Sequence, residues 1–330
     1  MKKMVSVAPM MDCTDRHDRY FLRLISKNVK LYTEMIVSNA IIKGDKDFLL
    51  KFNLLEKPLV LQIGGSNPKE LAQATKIAEG YGYDEINLNL GCPSKKVQKN
   101  KFGACLMKEP NLVGECINEM KNACSLPITV KTRIGFDDYE DYEYLKKFIT
   151  IIKHAGSETF IIHARRAILT KLTPKQNLSI PPLNYSFLYY LKKDFKNDTV
   201  ILNGGIDSID KIKTHLKKVD GVMIGRAAYH SPYFLADIEK EIFKNENVLS
   251  RSEIMELMIP YIKEETKKGT RLNQIMRHTI GLFHGQKGSS YWKRYLSENM
   301  CVKDADIEKI DHIMDKIKLK KAESSEGRID

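Results

Sequence analysis

Short apolar runs alternate with longer amphipathic segments almost to residue 245. Parallel strands buried on both faces, each followed by a helix that covers the sheet, produce this pattern. The runs predict strands at Met4 to Ala8, Leu31 to Glu34, Leu59 to Ile63, Glu85 to Asn89, Ile128 to Thr132, Thr159 to His163, Thr199 to Asn203 and Gly221 to Ile224. Eight such units predict a closed parallel (β/α)8 TIM barrel over residues 1–245 rather than an open doubly wound sheet. Past Phe243 the pattern changes. Lys244-Asn245-Glu246-Asn247 reads as a polar linker, and from Ser250 to Lys318 the chain reads as helix. Leu272, Ile275, Met276 and Ile280 recur at helical spacing, as the core stripe of a bundle does. A small all-α domain is therefore expected over 246–318, followed by a polar, disordered tail at 319–330.

Nearly every predicted strand ends in a polar or conformationally special group: Ala8-Pro9-Met10, Glu34, Gln62, Asn89 before Gly91-Cys92, Lys131 with Arg133, His163 with Arg165, Asn203-Gly204-Gly205, and Gly225-Arg226. In a β/α barrel these ends converge on one mouth, where chemistry is carried out. Strand termination alone explains any one of them but strains to explain all eight.

Composition narrows the class. Hydrophobic residues make up 42% and charged residues 29%, which excludes a disordered or fibrous chain. Lys and Arg outnumber Asp and Glu by 54 to 42, a net charge of +12, so the long-range field favours polyanions and nucleic acid is the first partner to consider. A Lys-rich proteome would give the same excess, and charge alone does not separate the two. The six cysteines show no C-x-x-C and no His pair at zinc-finger spacing, so no metal is expected. The opening MKKMVSVAPMMD has no signal-length apolar stretch, and no run approaches a membrane span. The expectation is a reduced, soluble, cytoplasmic protein, with no oligomer required.

Three constellations carry the chemistry. Asn203-Gly204-Gly205 and Gly225-Arg226 follow the seventh and eighth strands, the usual phosphate site of barrels. There glycine lets backbone N–H groups approach an anion, and Arg226 adds charge. Cys92 lies in the turn Gly91-Cys92-Pro93 with Lys95, Lys96 and Lys99 nearby, a setting for a partly exposed thiol that exchanges a proton. The other five cysteines fit the structural reading of a small buried hydrophobe. Lys131, Arg133 and His163 place cations on the fifth and sixth strands. With Gln62 and Asn89 they suit a planar heterocycle bearing several polar edges.

Taken in order, Ala8-Pro9-Met10, Asn87-Leu88-Asn89-Leu90-Gly91-Cys92-Pro93-Ser94, Lys131-Thr132-Arg133-Ile134-Gly135, His163-Ala164-Arg165, Asn203-Gly204-Gly205-Ile206 and Asp220-Gly221-Val222-Met223-Ile224-Gly225-Arg226 make the chain resemble tRNA-dihydrouridine synthases. Leu172-Thr173-Pro174-Lys175-Gln176-Asn177 and Tyr291-Trp292-Lys293-Arg294-Tyr295-Leu296-Ser297 look most like the A subfamily, which modifies uridines 20 and 20a of the tRNA D-loop. The resemblance implies FMN as cofactor and NADPH as electron donor. It implies Ala8, Pro9 and Met10 against the flavin, Gln62, Lys131 and His163 on its polar edges, and Asn203, Gly204, Gly205, Gly225 and Arg226 at its phosphate. It further implies hydride transfer to C6 of uracil with Cys92 protonating C5, Asn89 and Arg133 toward the flipped base, and tRNA held near Lys175, Leu178, Lys293 and Arg294. The subfamily pattern carries Arg where this chain has Leu178, and another near Ser290. A flavin barrel acting on a free pyrimidine and a non-catalytic RNA-binding homologue are the alternatives; turnover on tRNA and yellow absorbance discriminate them.

Overall fold

The structure, a computed structural model, describes residues 3–299. Its chain divides into two compact units. One contains the first strand as far as Thr14 together with Val29–Gly225, and the other contains Asp15–Asn28 and the chain from Arg226 onward. The expected tail at 319–330 and the end of the expected helical domain lie outside the described residues.

The first unit is a parallel barrel. Its strands are β1 (Met4–Val7), β2 (Leu31–Val37), β3 (Leu59–Gly64), β4 (Glu85–Leu90), β5 (Ile128–Arg133), β6 (Thr159–His163), β7 (Thr199–Asn203) and β8 (Gly221–Ile224). They pair in parallel in the order β1-β8-β7-β6-β5-β4-β3-β2. Lys30, the residue before β2, closes the circuit. It bridges Ser6 of β1, accepting from Val7 N at 3.0 Å and donating to Val5 O at 3.0 Å.

Side chains alternate in and out along each strand. Ala8, Tyr32, Val60, Ile161, Ile201 and Met223 form one inner cluster, with Met4 and Met10 packed against it. The same parity turns Gln62, Asn87, Asn89, Thr129, Lys131, His163 and Asn203 toward the lumen. A one-residue bulge interrupts β2 between Tyr32 and Met35. The Thr33 hydroxyl fills the gap by accepting from Gln62 N at 3.0 Å.

The second unit is helical. Its longest helix among the described residues, Arg251–Lys267, starts from a capping box of Ser250 and Glu253. Helix Arg16–Ile25 belongs to this unit. Arg277 reaches the Asp15 carboxylate at 2.6 Å, buried His278 reaches it at 3.1 Å, and His17 Nδ1 meets Tyr261 OH at 2.7 Å. Trp292 is fully buried and donates to Thr279 O at 2.9 Å, which fixes helix Ser289–Asn299 with Lys293 and Arg294 exposed. Among the described residues no helix is long and apolar enough to cross a membrane.

Candidate active site

The turn after β4 carries Cys92, and two devices hold it. Below it, the Asn89 side-chain oxygen accepts from Gly91 N at 3.2 Å and Cys92 N at 3.0 Å. Beside it, Gly103 adopts a φ of 74°, and a Cβ there would fall 2.6 Å from Cys92 O and 3.3 Å from Cys92 Cβ. Only glycine permits both the conformation and the approach. Ala104 N then donates to Cys92 O at 2.9 Å. Cys92 itself is half-buried.

Lys131 and Arg133 face the same opening from β5, the strand next to β4. Burial first and the Arg133 charge second pull the Lys131 ammonium down to about 8, against an opposing contribution from the nearby Cys92 sulfur. Its ammonium takes part in none of the hydrogen bonds or ion pairs among the described residues. Arg133 is 4% exposed, and burial draws it down to about 10. Its guanidinium donates to three backbone carbonyls: Gly91 at 2.9 Å, Arg166 at 3.2 Å and Asn177 at 3.1 Å. The expected RNA-facing cation thus clamps the Cys92 turn to the loop after β6. In that loop, buried Asn177 accepts from Ile168 N at 2.7 Å and donates to Ile168 O at 2.9 Å.

β6 and β7 complete the rim. His163 pairs with Asn203 in the ladder, and the Asn203 side chain donates to Met223 O at 2.8 Å. Gly204 and Gly205 have φ of 113° and 71°. A Cβ on Gly204 would lie 3.0 Å from Leu183 and 3.1 Å from the His163 ring, and one on Gly205 would lie 2.6 Å from Leu183 and from Tyr185 OH. Tyr185 OH donates to Gly204 O at 3.0 Å, holding the loop from outside. On the far side Gly225 approaches the end of β1: its Cβ position is 3.7 Å from Met10 Sδ and 3.9 Å from Ala8 Cβ.

The barrel therefore gathers Ala8, Met10, Gln62, Asn89, Cys92, Lys131, Arg133, His163, Asn203, Gly204, Gly205 and Gly225 at the C-terminal ends of its strands. The opening thus holds a half-buried thiol, an ammonium without a carboxylate partner among the described residues, and two positive-φ glycines. The description "Dihydrouridine synthase (Dus)" matches residues 6–318. The chain belongs to the dihydrouridine synthase family. Among similar members, the tRNA-dihydrouridine(20/20a) synthase of Vibrio parahaemolyticus is 51% identical over 315 residues, 95% of this chain and 96% of that protein. The like-named proteins of Escherichia coli strain K12 and Synechocystis are 50% and 49% identical, covering 94% and 91% of this chain and 90% of each relative.

The remaining residues expected of such a family member stand on loops and helices rather than on the strands. Lys175 is exposed and Leu178 half-buried, both at the short turn Gln176–Leu178 after β6. Arg226 opens helix Arg226–His230 and, like Lys293 and Arg294, belongs to the helical unit. Arg294 also pairs with Glu298 at 2.7 Å on that exposed surface. Sequence reasoning missed Gly103, Glu85 and Thr129. A signal for Glu85 was present: Glu85, Asn87 and Asn89 alternate along an otherwise apolar strand, so three polar groups enter one lumen.

Proposed function

We propose that this protein reduces uridine to 5,6-dihydrouridine in the D-loop of tRNA, at positions 20 and 20a, with FMN as cofactor and NADPH as its reductant. The observation that carries the reading is the meeting of Cys92 and Lys131 at one barrel mouth, with neither side chain committed to a structural ion pair. The site fits the cofactor on its own terms. Lys131 is a half-buried cation that no carboxylate pairs among the described residues, and Gly204 and Gly205 form positive-φ turns beside His163 that a side chain would strain.

In this reading Lys131 and His163 hold the polar edge of the ring system, Gln62 backs the site through its bonds to Asn87 and Asn89, and Ala8, Pro9 and Met10 lie along its apolar side. Backbone N–H groups of the loops at Asn203, Gly204, Gly205 and Gly225 receive the phosphate, with Arg226 adding charge. When bound, reduced FMN supplies hydride to C6 of the uracil ring. Cys92 delivers the proton to C5, which balances the two-electron addition across that double bond and leaves a thiolate that solvent reprotonates. Asn89 sets the height of the Cys92 turn against a base taken out of its stack. Lys175, Lys293 and Arg294 bind the tRNA backbone, and that attraction weakens with salt.

The test is single turnover. FMN-loaded protein, reduced by NADPH, is mixed with tRNA transcript lacking dihydrouridine, and flavin oxidation and the modified position are both read. Oxidation by tRNA but not by free uridine supports the reading; oxidation by free uridine alone reassigns the protein to small-molecule chemistry. A purified protein that neither carries FMN nor takes it up would mark a binding module.

A further inference from the structure

The Asn89 amide that holds the Cys92 turn is itself held by a chain of side chains crossing the barrel lumen. Asn89 Nδ2 donates to Gln62 Oε1 at 2.8 Å, and Gln62 Nε2 to Asn87 Oδ1 at 2.8 Å. Asn87 Nδ2 donates to Thr129 Oγ1 at 3.0 Å, whose proton goes to Glu85 Oε1 at 2.7 Å. Glu85 is 5% exposed; Lys30 anchors its other oxygen at 2.7 Å, and Tyr32 OH lies 3.4 Å from Oε1. From Glu85 to Asn89 the strand rises about 13 Å.

Every link points the same way, and the two ends dictate it. An ionised carboxylate only accepts, so Thr129 spends its proton on Glu85 and keeps a lone pair for Asn87. Backbone N–H groups only donate, so Gly91 and Cys92 require the oxygen of Asn89. Each amide between has one orientation that satisfies both neighbours, and a flip anywhere sets donor against donor. We infer that Glu85 and Thr129, at the far end of the lumen, are positioning residues for Cys92: through this chain they fix the Asn89 oxygen under the thiol-bearing turn. The inference rests on Cys92 as the proton donor.

Amide hydrogen exchange at Gly91 and Cys92, measured on the FMN-loaded full chain, tests it together with tRNA-driven flavin oxidation at saturating FMN. Thr129→Val removes both links at once. It should speed exchange of those two amides about tenfold and slow oxidation about tenfold at unchanged KM for tRNA. Thr129→Ser keeps the hydroxyl and should restore both. Wild-type exchange and rate in Thr129→Val, or a serine variant as impaired as the valine, would overturn the inference. Should Thr129→Val not fold, Asn87→Leu serves: it removes the links to Gln62 and to Thr129 together and should speed the same exchange severalfold, and unchanged exchange refutes the relay. Cys92→Ala keeps the two readings apart, because wild-type turnover there removes the thiol from the chemistry while the exchange response to Thr129→Val still reports on the relay.

Discussion

Replacing Arg133 with Met asks whether this buried guanidinium serves the fold or the RNA. It makes three charge-assisted hydrogen bonds to the carbonyls of Gly91, Arg166 and Asn177. At roughly 1.5–3 kcal/mol each, these contribute about 4.5–9 kcal/mol gross. Against that stands burial of the charge, which draws its pKa well below the ordinary guanidinium range, to about 10. A fall of that size costs about 3 kcal/mol at 1.36 kcal/mol per pH unit. Methionine keeps most of the apolar stem but leaves three carbonyls short of a donor, so the net loss should be about 3 kcal/mol. Arg133→Lys should lie between, because one ammonium cannot span three acceptors held apart by a planar fork. Urea unfolding of the flavin-free protein, followed by circular dichroism, reads the stability, and the rate of Cys92 alkylation by iodoacetamide reads the loosened turn. Stability within about 0.5 kcal/mol of wild type, unchanged alkylation and a weakened tRNA Kd would refute the reasoning and return Arg133 to the RNA surface.

Cys92→Ala should retain FMN and bind tRNA while single-turnover dihydrouridine formation falls at least about a hundredfold, the usual loss of a general acid; wild-type turnover would name another donor. Gly204→Ala forces a side chain into φ 113° and against His163, so FMN affinity, read by fluorescence titration, should drop at least about tenfold with strain of about 1–3 kcal/mol. His17 is kept neutral because burial, helped by Arg16 and His278 against Asp15 and Glu265, lowers it from 6.5 to about 4. The unfolded chain therefore binds the extra proton between those values, and the helical unit should lose roughly 3 kcal/mol as pH falls through that window. Urea midpoints of wild type and His17→Gln across pH 4 to 7 check this, and parallel curves would contradict it. Lys293→Ala and Arg294→Ala should each weaken tRNA binding and reduce its salt slope by about one without touching flavin affinity, and a slope equal to wild type would clear them of phosphate contact.

The strands were legible because burial on both faces leaves an apolar run with inward polar exceptions, and β6, β7 and β8 end where that pattern ends. β2 runs three residues beyond its expected end at Glu34, since the bulge at Thr33 lets pairing resume at Met35. The meeting of these strand-end residues was legible because barrel topology turns eight strand ends into neighbours. Their partners were not. A sequence shows that Arg133 is a cation near a cysteine, but whether it meets phosphate or the carbonyls of Gly91, Arg166 and Asn177 depends on a loop folding back from forty residues away. Asn89, Gln62 and Thr129 lie on three strands, and which atoms meet follows from register, in which Gln62 stands beside Asn87 and Asn87 beside Thr129. The grouping of helix Arg16–Ile25 with the C-terminal helices follows from Asp15 meeting Arg277 and His278, about which local pattern is silent.

The charges of the mouth explain why its scaffolding is so polar. Lys131 and Arg133 repel each other on one strand, and Arg165 adds a third cation that lowers Arg133 further. Carboxylates paired with them would stabilise the empty barrel but would compete with an anionic ligand for the same donors. The chain instead satisfies Arg133 with neutral carbonyls and leaves Lys131 to the opening. It places a buried carboxylate, Glu85, at the far end of the lumen with Lys30. Cation and carboxylate are thus separated by the length of a strand, with a line of amides between them. The amides support the Cys92 turn without neutralising the field at the mouth. An anion entering there meets positive charge already desolvated, and its binding recovers free energy that the ligand-free fold forgoes.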